Sequence, residues 1–357
     1  MTFLLRLLDK NYKIYLNSRS SKYHVRLESL HKTIDGADRI LLSTHENPDG
    51  DGLGSACAMY HYLQGQGKDC RIIHISELPF EYEFLNTGQA IETYNADIHN
   101  EWISQVDLAL IFDVGDYRRT RQIGEELASN NIHIVNIDHH PDLSDGRFAD
   151  NFINMEAAAT GEMVYDFLKA VNVYMTKEIA EGIYTGIVTD TGSFSYSNTN
   201  QKCHHIAVEC IEAGVNTYQI YQSVYENRSK GRVALLGLII NKIEYNKTGE
   251  LAWFTIDKSM MAQVNANQTD VDGFTDFVRK IRGVEVAVMI VEKDNNTCRV
   301  NFRSKGKYII NGIAKSLGGG GHKLAAGAEA QGSLDEVLQS VLSSTRASIE
   351  EQNRKII

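Results

Sequence analysis

The chain has 357 residues, more than one hydrophobic core usually serves, and its apolar content of 43% is sufficient for two domains. Its formal net charge of −10 argues against a general binder of long nucleic acid, because such proteins normally present a basic face to the phosphates. A short anionic substrate in a local basic pocket stays compatible with this charge. The five cysteines are scattered without CxxC spacing, which favours reduced thiols and a cytoplasmic location.

Membrane insertion is not expected from the sequence. No stretch approaches the roughly 20 apolar residues that a membrane-spanning helix needs. The apolar segment 1–16 is interrupted by Arg6 and Asp9, and it predicts a surface helix or a frayed extension rather than an anchor.

The first part of the chain alternates helical patterns with short apolar runs. Helices are predicted over 23–34 and 53–63, on either side of a predicted strand at 40–42. The further apolar runs, which we interpret as strands, are 70–75, 106–112, 132–137 and 183–189. This alternation predicts an α/β domain with a mostly parallel sheet flanked by helices.

A helical pattern continues over 211–241 and is interpreted as the connection to a second, smaller α/β domain. There, strands are predicted at 251–256, 284–291 and 300–304, followed by helices over 308–317 and 334–349 with the glycine run Gly318-Gly319-Gly320-Gly321 between them. The predicted organisation is therefore a first domain over 20–210, a helical linker over 211–242 and a second domain over 243–347.

Carboxylates and histidines follow the predicted strands of the first domain. Ligand sites of such sheets gather at the carboxyl ends of the strands. A single aspartate there is usually a turn former or a helix cap, but four strand ends that carry such groups favour a metal centre. The residues at these four ends are His45, Asp49 and Asp51, then Asp113, then Asp138, His139 and His140, and finally Asp190.

These donors are oxygens and imidazole nitrogens without a thiolate, which suits Mn²⁺ or Mg²⁺. Six of these residues are potential ligands, more than one ion normally takes from a protein, and a bridging carboxylate can hold two ions roughly 3.5–4 Å apart. The six are His45, Asp49, Asp51, Asp113, His139 and Asp190. Such a pair lowers the pKa of a bridging water and stabilises charge at phosphorus, so the set predicts phosphoester hydrolysis. His140 is either a neighbour of His139 or a contact for a phosphate oxygen.

The second domain has a local excess of basic residues. The range 279–323 contains ten lysines and arginines against three acidic residues, which favours an anionic ligand, although a solvated basic face explains most of the lysines. Arg303 ends a predicted strand near the glycine run, whose N–H groups can form an anion-binding nest. Glycine runs are also plain loops, so this signal is weak alone.

At these residues the chain resembles the DHH phosphoesterase family, in the branch with a DHH-associated (DHHA1) second domain. The matching motifs are His45-Glu46-Asn47-Pro48-Asp49-Gly50-Asp51, Asp113 in Asp-Val-Gly-Asp, Asp138-His139-His140, Asp190 in Thr-Asp-Thr-Gly, Phe302-Arg303-Ser304, and Gly318-Gly319-Gly320-Gly321-His322 with Ala325-Ala326-Gly327.

The resemblance implies two Mn²⁺ ions, with Mg²⁺ as the alternative metal. His45, Asp49 and Asp113 would hold one ion. Asp51, Asp113, His139 and Asp190 would hold the other, so that Asp113 bridges them. It implies catalytic roles for Asp113, His139 and His140 in a cleft between the domains. The implied substrate-binding residues are His140, Arg303, Ser304, Gly319, Gly320, Gly321 and His322.

Within the family the chain is similar to the nanoRNase type, which acts on very short RNAs and on 3′-phosphoadenosine 5′-phosphate (pAp). We therefore expect a Mn²⁺-dependent phosphoesterase with short RNA or nucleotide partners and with no long nucleic acid or membrane partner. A homodimer is compatible with the family. The alternatives are a phosphodiesterase for cyclic dinucleotides or pApA, and a non-catalytic nucleotide-binding sensor.

Overall fold

The structure is a computed structural model that describes residues 21–141, 144 and 146–356. The predicted surface helix in 1–16 lies outside these residues. The chain divides into two units between Asn227 and Arg228, a point within the predicted linker 211–242. The predicted domain limits themselves stay a prediction.

The first unit is an α/β domain, as the alternation of patterns predicts. Its helices are α1 (Ser21–Asp35), α2 (Gly50–Gly65), α3 (Ala96–Ile103), α4 (Arg121–Ser129), α5 (Thr160–Ala170), α6 (Lys177–Asp190), α7 (Gln201–Glu212) and α8 (Thr217–Tyr225). Its strands are β1 (Arg39–Ser43), β2 (Asp69–His74), β3 (Ile91–Thr93), β4 (Leu108–Phe112), β5 (His133–Asp138) and β6 (Asp150–Ile153).

These six strands form a parallel sheet in the order β3-β2-β1-β4-β5-β6. Successive side chains of β1 enter different cores: Ile40 and Leu42 pack into a cluster with α1, α2, α5, α6 and α7, whereas Leu41 packs with residues of α3 and α4. Helices therefore cover both faces, which explains why the strands are continuous apolar runs. The order reverses between β1 and β4, and this is where doubly wound sheets bind ligands.

The predicted strand at 183–189 is wrong. Its residues lie inside α6, which begins after Thr176, whose side chain accepts a hydrogen bond from the Ile179 backbone N–H. Ile179, Ile183 and Ile187 repeat every four residues along one buried face of the helix. A short apolar run cannot by itself distinguish a buried strand from a buried helix. Asp190 consequently ends a helix, and three strand ends rather than four contribute to the site.

The second unit is the smaller α/β domain that the sequence predicts. Its helices are α9 (Lys230–Ile240), α10 (Lys258–Gln263), α11 (Phe274–Arg279), α12 (Asn311–Ser316) and α13 (Leu334–Ile356), and its strands are β7 (Glu244–Tyr245), β8 (Leu251–Ile256), β9 (Val286–Glu292), β10 (Thr297–Ser304), β11 (Gly320–Gly321) and β12 (Ala325–Gln331). The strands form a mixed sheet in the order β11-β12-β10-β9-β8-β7.

Two cores lie on opposite faces of this second sheet. One contains Val300 and Phe302 of β10 together with residues of α12 and α13, and the other contains residues of α9, α10 and α11. The strand β12 was not predicted, because its sequence AAGAEAQ has low β-propensity and no alternating large apolar residues. Throughout the described ranges, no helix is both long and apolar enough to cross a membrane.

Candidate metal centre

The candidate metal centre lies at the carboxyl ends of β1, β4 and β5, where the strand order of the first sheet reverses. His45 follows β1, Asp113 follows β4 with a left-handed φ of 61°, and His139 follows β5. All six residues predicted as metal ligands belong to side-chain groups whose ligand atoms lie within 4.8 Å of one another. These groups could hold a metal ion.

One group consists of His45, Asp49 and Asp113. The His45 Nε2 atom lies 3.8 Å from Oδ2 of Asp49 and 3.6 Å from Oδ2 of Asp113. The other ring nitrogen, Nδ1, is 2.7 Å from the Glu46 carbonyl oxygen. Nδ1 also lies 2.7 Å from a guanidinium nitrogen of Arg119, which only donates, so the tautomer of His45 decides between the two partners. When Nδ1 carries the proton, it donates a hydrogen bond to the Glu46 carbonyl, and the Nε2 lone pair faces the carboxylates, as metal binding requires.

A second group consists of Asp51, His139 and Asp190. The His139 Nε2 atom lies 3.7 Å from Oδ2 of Asp51 and 3.6 Å from Oδ2 of Asp190. Its Nδ1 atom is 3.2 Å from the Ala157 carbonyl oxygen, which can only accept a hydrogen bond. As in His45, the contact between Nδ1 and a backbone carbonyl oxygen orients the ring with Nε2 toward the carboxylates.

Asp113 lies between the two groups. Its Oδ2 atom faces His45, and its Oδ1 atom is 3.6 Å from His139 Nε2. The same Oδ1 is 3.1 Å from Nδ1 of His140, a residue that also forms a metal-compatible group with Asp113 and His139. His140 is held in turn by the fully buried Asp138. The Oδ1 atom of Asp138 accepts a hydrogen bond from the backbone N–H of His140 and lies 2.8 Å from the His140 Nδ1 atom.

Helix starts orient the carboxylates of Asp49 and Asp51. Asp49 is the N-cap of α2: its Oδ1 accepts from the backbone N–H groups of Asp51 and Gly52, which leaves Oδ2 toward His45. Helix α5 begins after Ala159, which has no capping oxygen, and Asp51 supplies one. The Asp51 carboxylate accepts from the N–H groups of Thr160 at 2.6 Å and Gly161 at 2.8 Å.

A close crossing of α2 and α6 brings Asp51 and Asp190 into the same group. A methyl group on Gly54 would lie 2.3 Å from the Gly182 carbonyl oxygen, so no larger residue fits the contact. One turn of α6 farther on, a methyl group on Gly186 would lie 2.6 Å from Oδ1 of Asp51. Asp51 at the start of α2 therefore lies beside the final turn of α6, which ends at Asp190.

The buried carboxylates repel one another, so positive charge at this site would stabilise them. Burial, together with the charges of Asp113, Asp190 and Asp49, raises the pKa of Asp51 well above its usual value. Burial and neighbouring Asp113 and Asp49 likewise raise the pKa of Asp190 to about 7, despite the opposing effect of His139. Cations bound at these oxygens would relieve the same repulsion.

The same carboxylates stabilise the charged forms of two neighbouring histidines, His45 and His140. Burial alone lowers the pKa of His45, but its contacts with Asp113 and Asp49 outweigh burial and raise the pKa to about 9. Burial also opposes charge on His140, whereas contacts with Asp113 and Asp138 raise its pKa to about 11. The imidazolium form of His140 is therefore favoured.

Sequence reasoning missed four residues that contact this site. Arg119 places a guanidinium nitrogen 2.7 Å from His45 Nδ1, Thr160 donates its hydroxyl to Oδ1 of Asp113 at 3.3 Å, and Gly161 binds Asp51. Asn198 donates to the Asp190 carbonyl oxygen at 3.1 Å. Only Thr160-Gly161-Glu162 carries a recognisable signal, that of a helix start with an acidic first turn.

In the second unit, the predicted substrate residues lie on or beside β10 and β11, two strands that are separated in the sheet by β12. Arg303 of β10 pairs with Ala325 of β12, and Gly320 and Gly321 form β11 on the other edge of β12. The Arg303 Nε donates to Oδ2 of Asp276 at 3.0 Å, and its side chain is 30% exposed.

The remaining predicted substrate residues differ in accessibility. Ser304 is buried, and its hydroxyl donates to the Tyr308 carbonyl oxygen at 2.6 Å, so it serves the fold rather than a surface. His322 is exposed directly after β11. A methyl group on Gly319 would lie 2.1 Å from the Gly327 carbonyl oxygen, so the glycine run packs tightly against β12 instead of forming a free loop.

Comparison with known proteins identifies two domains and several relatives. The model of the DHH family, N-terminal domain, matches residues 39–187, and that of the DHHA1 domain matches residues 257–351. A bifunctional oligoribonuclease and PAP phosphatase NrnA from Thermus thermophilus is 29% identical over 317 residues, covering 88% of this chain and 91% of that relative.

Two further proteins extend the comparison. A cyclic-di-AMP phosphodiesterase GdpP from Geobacillus thermodenitrificans is 24% identical over 84% of this chain and 46% of its own length. The crystal structure of an exopolyphosphatase-related protein from Bacteroides fragilis superposes with a TM-score of 0.84 at 25% identity, covering 94% of this chain and 97% of that chain. The architecture of both units therefore occurs in a solved relative.

Proposed function

Since the chain belongs to the DHH/DHHA1 phosphoesterase family and is a hydrolase acting on phosphoester bonds, we propose that it hydrolyses short oligoribonucleotides and pAp with divalent metal ions. The observation that carries the proposal is the position of Asp113 between two groups of potential ligands. A relative whose name states both activities matches most of the chain and supports the choice of substrates.

The residues of the centre fit divalent ions. Among the described residues, the buried Nε2 of His139 has no hydrogen-bond partner, although three carboxylate oxygens lie within 3.7 Å of it. A lone pair facing several carboxylates is an arrangement that a cation satisfies. The donor set of oxygens and imidazole nitrogens suits Mn²⁺, with Mg²⁺ as the alternative.

We assign His45, Asp49 and Asp113 to one ion and Asp51, Asp113, His139 and Asp190 to the other. Ions bound in this way supply a water of lowered pKa and neutralise charge that develops on the phosphoryl oxygens. The protein positions the ligands before the reaction: Asp49 and Asp51 are fixed by helix caps, and His45 and His139 are fixed by carbonyl groups.

His140 is proposed to bind a phosphate oxygen. Its Nδ1 contacts both Asp113 and Asp138, and in the metal-free protein these two carboxylates favour its protonated form. A charged donor of this kind stabilises negative charge on the phosphoryl group more strongly than a neutral imidazole does. His140 also lies close enough to Asp113 and His139 to be an alternative ligand, and the two roles differ in what its substitution does to metal affinity.

Arg303 and His322 are proposed to bind the nucleotide part of the substrate. Asp276 engages the Arg303 Nε at 3.0 Å, and the Phe302 carbonyl oxygen accepts from its Nη1 at 3.1 Å. These bonds restrict the guanidinium, so less entropy is lost when an anion binds to it. Of the three predicted glycines, Gly319 and Gly321 pack against β12, and Gly320, whose Cβ position is open, is the one that leaves room for a ligand near the backbone.

A phosphodiesterase for cyclic dinucleotides is the second candidate. The relative named cyclic-di-AMP phosphodiesterase GdpP aligns with 84% of this chain, so the same two domains occur in a protein of that name. Both functions use phosphoester hydrolysis and differ in the shape of the nucleotide.

The test is a hydrolysis assay with purified protein, Mn²⁺ and four substrates: pAp, pApA, a trinucleotide RNA and cyclic di-AMP. Release of AMP from pAp and of mononucleotides from the short RNAs is the expected result, with loss of activity after chelation and recovery with Mn²⁺. Faster turnover of cyclic di-AMP would favour the second candidate. Binding of nucleotides without hydrolysis of any would contradict the proposal and indicate a sensor.

The environment and assembly of the protein are also proposals. The five cysteines are buried and form no disulfide, which supports a reducing compartment such as the cytoplasm. A homodimer stays a prediction that sedimentation of the purified protein would test.

A further inference from the structure

We infer that Glu162, Lys202 and Asn198 position the metal centre by fixing the backbone of residues 157–161, here termed the 157–161 segment. The inference rests on the proposed function, since it concerns the affinity of the proposed metal centre. In the part of the chain that the structure describes, none of the three belongs to a group of potential metal ligands.

The 157–161 segment contacts three of the six proposed ligands directly. The Ala157 carbonyl oxygen accepts from Nδ1 of His139 at 3.2 Å, and the N–H groups of Thr160 and Gly161 bind the two oxygens of Asp51. The Thr160 hydroxyl donates to Oδ1 of Asp113 at 3.3 Å. A shift of this segment would therefore change several ligands together.

The segment has small side chains and depends on external contacts for its position. Ala157, Ala158 and Ala159 are buried but offer only methyl groups for packing. Glu162, which is fully buried, accepts the Ala158 N–H through Oε2 at 3.0 Å. Glu162 lies in the first turn of α5, and its side chain binds a backbone N–H group that precedes the helix, as the glutamate of a capping box does. The contact therefore fixes the segment to the start of α5.

Lys202 of α7 holds Glu162 in place. Its ammonium is 3.0 Å from Oε1 of Glu162 and also contacts Asp166, and the three side chains are at most 5% exposed. Because removal of one member of a buried ionic group leaves an unpaired charge, such a group enforces one geometry. Glu162 thus uses one oxygen for Lys202 and the other for the segment, and Lys202 acts on the metal centre through it.

Asn198 fixes the opposite side of the segment. Its Nδ2 donates to the Ala158 carbonyl oxygen at 2.9 Å, and it also contacts Asp190 directly, at 3.1 Å from the carbonyl oxygen and 3.4 Å from Oδ2 of the carboxylate. The N–H of Ala158 is therefore bound by Glu162 and its carbonyl by Asn198. This second contact also ties the segment to the end of α6, which carries a fourth proposed ligand.

The decisive comparison is between Glu162→Gln and Asp166→Asn. Both replace a carboxylate that faces Lys202 with an amide of the same size, but only Glu162 contacts the segment. Lys202 and the Ala158 N–H contact different oxygens of Glu162, so the NH2 group of a glutamine would face one of these two donors and could not accept from it. We expect Glu162→Gln to weaken Mn²⁺ binding about tenfold or more, as is typical for residues that orient metal ligands, and Asp166→Asn to change it less than threefold.

Mn²⁺ binding is measured by calorimetry on metal-free protein and by the Mn²⁺-dependent rise in melting temperature, with KM for pAp as a separate readout. A positioning role predicts weaker Mn²⁺ binding, a kcat that recovers partly at high Mn²⁺, and an unchanged KM. Wild-type Mn²⁺ affinity in Glu162→Gln, or an equal loss in Asp166→Asn, would overturn the inference. Absence of Mn²⁺ and Mg²⁺ binding by the wild-type protein would instead refute the proposed metal centre itself.

Asn198→Ala provides an independent test if Glu162→Gln does not fold. Asn198 is partly exposed, and its removal buries no charge, so a folded variant is expected. It should weaken Mn²⁺ binding severalfold with little change in the melting temperature of the metal-free protein. Unchanged binding in a folded Asn198→Ala protein would contradict the role of the segment.

Discussion

Replacement of Gly186 by alanine tests how strictly the fold positions Asp51. The added methyl group would lie 2.6 Å from Oδ1 of Asp51, about 0.8 Å short of the 3.4 Å at which ordinary contact begins. Asp51 cannot yield without cost, because its two oxygens accept the N–H groups of Thr160 at 2.6 Å and Gly161 at 2.8 Å. A displacement of this size along the bonds would stretch them to about 3.4 and 3.6 Å, beyond the usual range of roughly 2.7–3.2 Å.

The expected magnitude follows from these contacts. A hydrogen bond to a charged group contributes about 1.5–3 kcal/mol, so the loss of two costs about 3–6 kcal/mol. Alanine is favoured over glycine within a helix by about 1 kcal/mol, which offsets part of the loss. The free energy of unfolding of the metal-free variant should therefore fall by about 2–5 kcal/mol. Turnover should fall about 100-fold, because the displaced carboxylate is a proposed metal ligand.

Urea unfolding of the metal-free protein and the Mn²⁺-dependent rise in melting temperature measure the two effects. Gly65→Ala is the matched control in the same unit, because a methyl group at the end of α2 meets nothing within 4 Å. It should leave the Mn²⁺ response and the turnover unchanged. A Gly186→Ala protein with wild-type stability and a wild-type Mn²⁺ response would refute the reasoning about Asp51.

Three further changes test other parts of the structure. Asp113→Asn should reduce turnover of pAp at least about 100-fold and weaken Mn²⁺ binding, because Asp113 faces both ligand groups. A Mn²⁺ affinity in calorimetry and a turnover close to those of the wild type would argue against a shared ligand. Arg303→Lys should raise KM for pAp about tenfold at unchanged melting temperature, since an ammonium cannot reproduce the guanidinium geometry. The control Arg299→Lys, four residues earlier on β10, should leave KM unchanged, and equal effects of the two substitutions would contradict a specific role of Arg303. Burial, assisted by the charge of His45, lowers the pKa of His74 to about 3. Between pH 6.5 and pH 3, therefore, the unfolded chain protonates His74 and the folded protein does not. The free energy of unfolding should fall by up to about 1.4 kcal/mol for each pH unit as the pH drops through this range. Urea unfolding of metal-free His74→Leu protein between pH 6.5 and 5 should lack this part of the slope, and an unchanged slope would show that His74 is not the group responsible.

The strand ends show what local sequence can predict. His45, Asp113 and His139 each follow a run of apolar residues that is buried on both faces of a parallel sheet, and such runs leave a clear pattern in the sequence. The α/β class of both units is confirmed for the same reason. The ligand roles of these residues stay predictions, although the structure brings their side chains together.

Asp190 shows where local pattern is insufficient. The run before it is short and apolar, and its residues satisfy a buried strand and a buried helix equally well. The choice is made by the packing of α6 on α2, through Gly182 and Gly54, which are 128 positions apart in the chain. The prediction grouped Asp190 with Asp51 and His139, whose side chains the structure brings together, but it assigned the wrong secondary structure to the preceding residues.

The sequence by itself determined which residues are available as metal ligands, because strand ends and helix caps are set by neighbours along the chain. Only the tertiary structure decided how those ligands are held. Asp51 caps a helix that begins 109 residues later, and the backbone at that point is fixed by Lys202 through Glu162. Contacts between residues so distant in the chain have no period or spacing in the sequence, since they arise when separate helices pack on one sheet.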